Sequence, residues 1–387
     1  MSAAPARVHN LAAARAQFGD LPDRLVPALF RGDPLADAAV EHLATCPDNH
    51  ARVEAALRDP ERAEGPLGDL LASVAGLPPW ADLARVERGC HLFLRAGVFG
   101  GFVLGLRSLV IGYAAPAGNK PLAFSGQLRE RAPRRLAETA RFVAAVCEHG
   151  GLLPGGEGRQ IALKVRLMHA QVRRLLLRHP RWSTDAWALP VNQHDMVATS
   201  LLFSQVFLDG LRLLGLHVSP EEADDYVHLW RLVSWILGVE DELLPDREPA
   251  ARALAECIYL TQGTPDADSR ALTAALLASP LQLARSPSER RLAELRVALS
   301  HSVCRHLIGN GLADALGVPP ERRPFSVPLL AQVVSALDRL RGALPPLDAS
   351  AELAGRQYWQ TVVELGLAGA APTFAMPDRL ARRPHAT

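Results

Sequence analysis

Proline and glycine cut this chain into pieces, and the pieces have the length of helices. The 30 prolines and 29 glycines cluster at Asp33-Pro34, Asp59-Pro60, Leu77-Pro78-Pro79, Gly150 to Gly158, Pro180, Gly215, Gly238, Pro280, Pro319-Pro320 and Pro345-Pro346. Neither residue suits a helix interior, so each cluster ends one element and allows the next to begin. Between the breaks the chain is rich in alanine, leucine and arginine, which favour helix, while aromatic residues make up only 5%. Apolar residues recur at intervals of three and four, as in Ile161, Val165, Met168, Val172 and Leu175 within the segment 159–178. Start and stop signals agree with that period. Ser219-Pro220-Glu221-Glu222 offers a capping serine, a proline at the first helical position and glutamates against the dipole, and Gly238 closes the same helix. A second helix is expected over 133–147 and a third from Asn192 or Asp195 to Leu214. With no sustained alternating pattern for strands, the reading is an all-α, multi-helix bundle. Residues 1–85 form a helical extension, 86–370 the main domain, and 371–387 a frayed tail.

Charge and cysteine usage exclude several classes. Forty-two basic residues against 41 acidic ones leave a formal net charge of +1, which points to no nucleic-acid partner. The five cysteines are scattered without a CxxC pair, as expected of buried thiols in a reducing compartment. The first 25 residues carry charges every few positions, unlike a secretory leader, so a cytoplasmic location is expected. The apolar run Phe93 to Tyr113 is interrupted by Arg95 and Arg107, too soon for a membrane span. Gly97, Gly101 and Gly105 put a flat strip on one face of it, suited to close packing inside a core.

Chemistry-bearing residues gather in the middle third. On the 159–178 segment, Arg166, His169, Ala170 and Arg173 form a second stripe beside the apolar one. Two readings stand: a solvated basic face, or the wall of a polar pocket in which histidine meets a metal or moves protons and arginine holds an anion. In Asn192-Gln193-His194-Asp195, Asn192 and Asp195 read as caps, and His194 and Asp195 are expected not to face each other, being adjacent on a helix. His228 lies among apolar neighbours, as a core histidine or as a ligand. His301 and His306, five apart, share no face. Glu240-Asp241-Glu242 reads as a solvated acidic turn. No dinucleotide, Walker, HExxH or GxSxG motif is present.

An ordered series of segments resembles the catalytic domain of the MpaB and rubber-oxygenase (latex-clearing) family. The pieces are Tyr113-Ala114-Ala115-Pro116-Ala117-Gly118, Arg135-Leu136-Ala137-Glu138-Thr139, Val165 through Arg173, Pro190-Val191-Asn192-Gln193-His194-Asp195-Met196-Val197-Ala198-Thr199, and Trp230-Arg231 with Leu237-Gly238-Val239. They span about a third of the chain. The resemblance implies a globin-like helical core around a b-type haem (heme b), and an oxidoreductase of oxygenase type that acts on a small apolar substrate with dioxygen. It places Arg166 on the distal side. His169 and Ala170 stand where rubber oxygenases have lysine and threonine, and Leu201, two residues beyond Thr199, stands where they have the proximal histidine. The implied cofactor contacts are Arg166, His169, Ala170, Thr199 and His228, with Arg166 and His169 catalytic. His169 is the first candidate for the iron, His228 the second and His194 the third. The alternative is a non-catalytic helical binding or structural protein that keeps the fold.

Overall fold

The computed structural model describes residues 5–125, 127–320, 327–367 and 374, with backbone alone at 125 and over 127–132. The frayed tail expected from residue 371 therefore lies, residue 374 apart, outside the described residues. Among those residues all regular structure is helical. One apolar core runs from Ala14 in the first helix to Trp359 in the last, so the N-terminal helices are built into the same interior as the rest.

Helix Glu157–Leu177 lies at the centre of the site. Helix Gln127–Val146 packs along one side and helix Pro34–Leu43 along another, while Pro220–Ile236 touches it from a third. Asp33 caps the Pro34–Leu43 helix, its Oδ1 accepting from Ala36 N at 3.2 Å, with proline at the first helical position. Pro220–Ile236 carries the expected capping box: Ser219 and Glu222 each satisfy the other's backbone N–H. Two boundaries differ from the sequence reading. The helix expected to begin at Pro133 starts at Gln127 and keeps Pro133 inside it. The helix expected to reach Leu214 breaks at Ser204 (φ −106°, ψ −87°), giving Gln193–Phe203 and Gln205–Leu213.

The glycine strip on helix Leu83–Val103 is spent on a close crossing. Gly97 interrupts the helix with φ 46°, a conformation that suits glycine. A Cβ there would lie 3.3 Å from Gly355 Cα of helix Pro345–Leu367, and a Cβ on Gly355 would strike Leu94 O. Tyr358 covers Gly101, nothing lies near Gly105, and Phe93 stacks on Trp359 with ring centres 4.8 Å apart. The two arginines that interrupt the apolar run are satisfied by protein: Arg95 pairs with Glu222 at 2.8 Å, and Arg107 donates to Val206 O at 3.2 Å. By length and composition Leu83–Ala114 and Gln193–Leu213 are apolar enough to cross a membrane, yet 50% and 56% of their apolar windows are buried inside the protein.

Candidate functional site

The stripe on helix Glu157–Leu177 is buried, which removes the reading of a solvated basic face. Arg166 is 5% exposed and Arg173 2%. A guanidinium withdrawn from water needs a counter-charge, and both find theirs at the start of helix Pro34–Leu43. Arg166 Nε donates to Asp33 Oδ2 at 2.7 Å and Nη2 to Asp33 Oδ1 at 3.0 Å, the paired geometry a carboxylate and a guanidinium favour. Arg173 Nε donates to Asp37 Oδ1 at 2.8 Å and Nη1 to Val191 O, while its Nη2 is buried without a partner. The anion expected beside Arg166 is thus an internal carboxylate from the N-terminal extension.

The backbone around the Arg166–Asp33 pair is shaped to receive it. Gly238 adopts φ 87°, and a Cβ at that position would collide with both Asp33 Oδ2 and the Arg166 guanidinium. Gln193 ties the neighbouring strands of chain together. Its Nε2 donates to Gly32 O at 2.8 Å and to Gly238 O at 2.9 Å, and its Oε1 accepts from Glu240 N at 3.0 Å. Arg31 pairs with Glu240 and Glu242, and Arg231 with Asp241, so the acidic turn after Gly238 is engaged by salt bridges and is more than a solvated loop.

His169 sits between the two ion-paired arginines, one turn before Arg173. Its Nδ1 is buried and has no hydrogen-bond partner. Burial first, and the charge of Arg173 second, push its pKa down to about 4. At neutral pH the imidazole is therefore uncharged and keeps a ring-nitrogen lone pair. Ala170, fully buried beside it, adds no bulk beyond a methyl group.

Helix Gln193–Phe203 brings a second constellation. Asn192 caps it, accepting from Asp195 N at 2.8 Å, as the sequence suggests. His194 and Asp195 do meet, against expectation: His194 Nδ1 lies 3.0 Å from Asp195 Oδ1. They occupy the first turn, where side chains reach back past the helix end, and Arg7 draws the carboxylate in with contacts of 2.9 and 2.6 Å. Burial opposes ionisation of Asp195, but Arg7 and His194 outweigh it and hold the carboxyl well below its usual range. Thr199 is exposed, and its hydroxyl donates to Asp195 O at 2.8 Å. Leu201 is buried aliphatic core.

His228 is engaged by a different part of the chain, Trp80 to Asp82. Its Nε2 accepts from Asp82 N at 2.9 Å, its ring packs edge-on against Trp80, and Nδ1 is buried without a partner. Burial, then Arg85 and Arg231, push its pKa down to about 4. The charged groups around it are Arg85, Arg231, Asp82 and Asp225; those around His169 are Arg173, Asp33 and Arg135. The two histidines share none of these charged neighbours. With Nε2 already accepting, His228 has no lone pair left for an iron. Arg7, Asp33 and Asp37 are the site residues that the sequence reading missed. Asp33-Pro34 did carry a helix-start signal, but nothing in it names an arginine partner.

Comparison with known proteins gives the family and the likeness of fold. Residues 94–336 match the family described as ER-bound oxygenase mpaB/B'/Rubber oxygenase, catalytic domain. The rubber oxygenase of Streptomyces sp. (strain K30) is 28% identical over 289 residues, which cover 74% of this chain and 68% of that protein. The structure of latex clearing protein LCP in the closed state superposes with a TM-score of 0.66 at 23% identity, over 86% of this chain and 91% of that one, a likeness of fold. Arg166, His169, Ala170, Arg173, Asp195, Thr199 and His228 all fall inside the matched segment, whereas Arg7, Asp33 and Asp37 precede it. With more than half of its length matched in this way, the chain belongs to the mpaB/rubber-oxygenase catalytic-domain family.

Proposed function

We propose that this protein is a haem-dependent oxygenase acting on an apolar substrate, with His169 as the group that meets the iron. The observation that carries the reading is the buried, unpartnered Nδ1 of a histidine that stays neutral at pH 7, on the helix matched to an oxygenase family. A buried polar atom without a partner is costly, and a metal is a fitting partner for an imidazole lone pair. Haem, when bound, supplies the iron that activates dioxygen. His169 would supply the ligand atom, with only the methyl group of Ala170 beside it. Asp33 and Asp37 neutralise Arg166 and Arg173, so the interior around His169 carries no uncompensated charge against an apolar substrate. The unpartnered Nη2 of Arg173 remains as a donor for an anionic group such as a haem carboxylate. Arg166, held along one edge by Asp33, is a fixed and neutralised part of that interior. The relative's name makes polyisoprene one apolar substrate to test beside small alkenes.

The test is direct. Protein produced with haem precursor is expected to hold about one b-type haem per chain by pyridine haemochrome assay, and His169→Ala is expected to shift the visible and EPR spectra more than His194→Ala or His228→Ala. A colourless protein that takes up no added hemin sinks the reading. The alternative, a binding or structural protein, is favoured by one observation: Leu201, aliphatic and buried, at the position that the resemblance aligns with the family's proximal histidine.

A further inference from the structure

Two residues in the loop between helices Glu157–Leu177 and Gln193–Phe203 carry backbone conformations foreign to their types. Ala188 has φ 62° and ψ −160°, a region occupied almost only by glycine. Val191, branched at Cβ, has φ 50°. Such strain persists only where the surroundings over-determine the chain, and here they do. Side-chain donors hold four carbonyls of this loop. Arg7 Nη1 donates to Trp187 O at 2.9 Å, Trp182 Nε1 to Ala188 O at 3.1 Å, Asn192 Nδ2 to Leu189 O at 2.7 Å, and Arg173 Nη1 to Val191 O. Leu189 N in turn donates to Leu29 O at 3.1 Å. Two of the four donors are arginines, one from the N-terminal segment and one from the site helix itself.

The contact with Arg173 also acts in the other direction. Asp37 takes its Nε and the Val191 carbonyl takes Nη1, so two groups fix the guanidinium plane, and Nη2 is left buried without a partner. The carbonyl that helps to fix Arg173 thus belongs to one of the two strained residues. Leu189 covers the same spot: a Cβ on Gly32 would lie 3.2 Å from both Leu189 Cδ2 and Arg173 Nε. We propose that the loop from Trp187 to Asn192 is a strained positioning element, latched by Arg7, that aims the free Nη2 of Arg173 at a carboxylate of the bound ligand. This rests on the haem reading above, in which that carboxylate belongs to the porphyrin. Arg7 suits the part. Its guanidinium, 7% exposed with the rest of the residue, is anchored on the Asp195 carboxylate by contacts of 2.9 and 2.6 Å while it holds Trp187 O. The strain has a chemical use, because a donor aimed before the ligand arrives loses little freedom on binding it.

Three measurements on the full chain test this. Ala188→Gly/Val191→Gly removes the strain and keeps the hydrogen bonds of the loop, so the melting temperature should rise by about 2 °C, although glycine ordinarily weakens a chain. Arg7→Met/Asp195→Asn removes both charges of the pair together, so neither is stranded. In that variant hydrogen exchange at the Ala188 and Leu189 amides should quicken by about 10-fold or more, while helix Glu157–Leu177 keeps its protection. Equilibrium binding of hemin and of hemin dimethyl ester is the third. The ester lacks free carboxylates, so the wild type should prefer hemin by roughly 10-fold, as one charge-assisted hydrogen bond implies. Arg173→Met and Arg7→Met/Asp195→Asn should each lose most of that preference. Adding Ala188→Gly/Val191→Gly to the second should restore part of it, since a relaxed loop needs no latch, and a merely structural role for Arg7 produces no such rescue. A double glycine variant less stable than wild type overturns the proposal, as does a hemin preference that survives the loss of Arg7 or of Arg173. Uptake of neither porphyrin is a separate failure, that of the haem reading; the loop is then judged by melting temperature and exchange, and values equal to wild type overturn it.

Discussion

Asp33→Asn isolates the charge that the N-terminal extension lends to the site. The carboxylate does two things: it caps helix Pro34–Leu43 through Ala36 N, and it holds Arg166 through two hydrogen bonds. Asparagine caps a helix as well as aspartate and keeps the shape, so the loss of about 1 kcal/mol expected on removing a cap is avoided. What remains is a guanidinium whose side chain is 6% exposed, left with a neutral amide and a distant contact to Ile236 O at 3.4 Å. Breaking a buried ion pair from one side costs about 3–5 kcal/mol, and the retained amide oxygen puts the expectation near 3 kcal/mol. In urea unfolding the midpoint should fall with the slope unchanged, and the melting temperature should drop by roughly 4 °C in a chain of this size. Replacing both partners distinguishes the ion pair from a general packing defect. Asp33→Asn/Arg166→Met should recover much of the loss, with a coupling energy of about 2 kcal/mol or more, because a buried pair exchanged for apolar groups is often neutral. A loss below about 0.5 kcal/mol in the single variant, or additive losses in the double, would refute the claim that Asp33 and Arg166 act as one buried unit.

Two further outcomes follow from the same geometry. Stability should fall as pH drops from 6.5 toward 4: His169 and His228 both have folded pKa values lowered from 6.5 to about 4, so across that window the unfolded chain takes up protons that the native state refuses. The loss is up to roughly 3 kcal/mol per histidine, complete below pH 4, and pH-resolved urea titrations of His169→Phe and His228→Phe should each flatten part of it; a wild-type profile level between pH 6.5 and 4.5 contradicts it. Gly238→Ala should cost at least 2 kcal/mol, roughly what strain at positive φ and a blocked ion pair together imply, and a variant as stable as wild type in the same titration would mean that the Gly238 contact is slack.

The fold was largely legible because its signals are local. Breakers, caps and the three-to-four period act within a few residues, and they anticipated helix Glu157–Leu177 and the Ser219–Glu222 capping box. The misses are places where packing overrides the local signal. No glycine or proline marks the break at Ser204, and Pro133 is carried inside a helix that its neighbours continue. The strip at Gly97 and Gly101 was correctly assigned to close packing, yet the helix it receives begins more than 240 residues later.

The site divides along the same line. Helical spacing put Arg166, His169, Ala170 and Arg173 on one face, because positions three and four apart are neighbours whatever surrounds them. It left open whether that face is wet or buried, since burial depends on what packs there. The answer came from partners 133 and 136 residues away, Asp33 and Asp37. A net charge of +1 says nothing of such pairing, because each pair adds zero to it. Yet the pairing settles what the face can do. Two bare arginines beside His169 would make an anion site in which an apolar molecule is disfavoured. Two neutralised arginines leave a neutral imidazole in a low-dielectric interior, with a single spare donor on Arg173. Because both counter-charges precede the segment shared with the family, the charge balance of this face is set by the part of the chain that the family match does not reach.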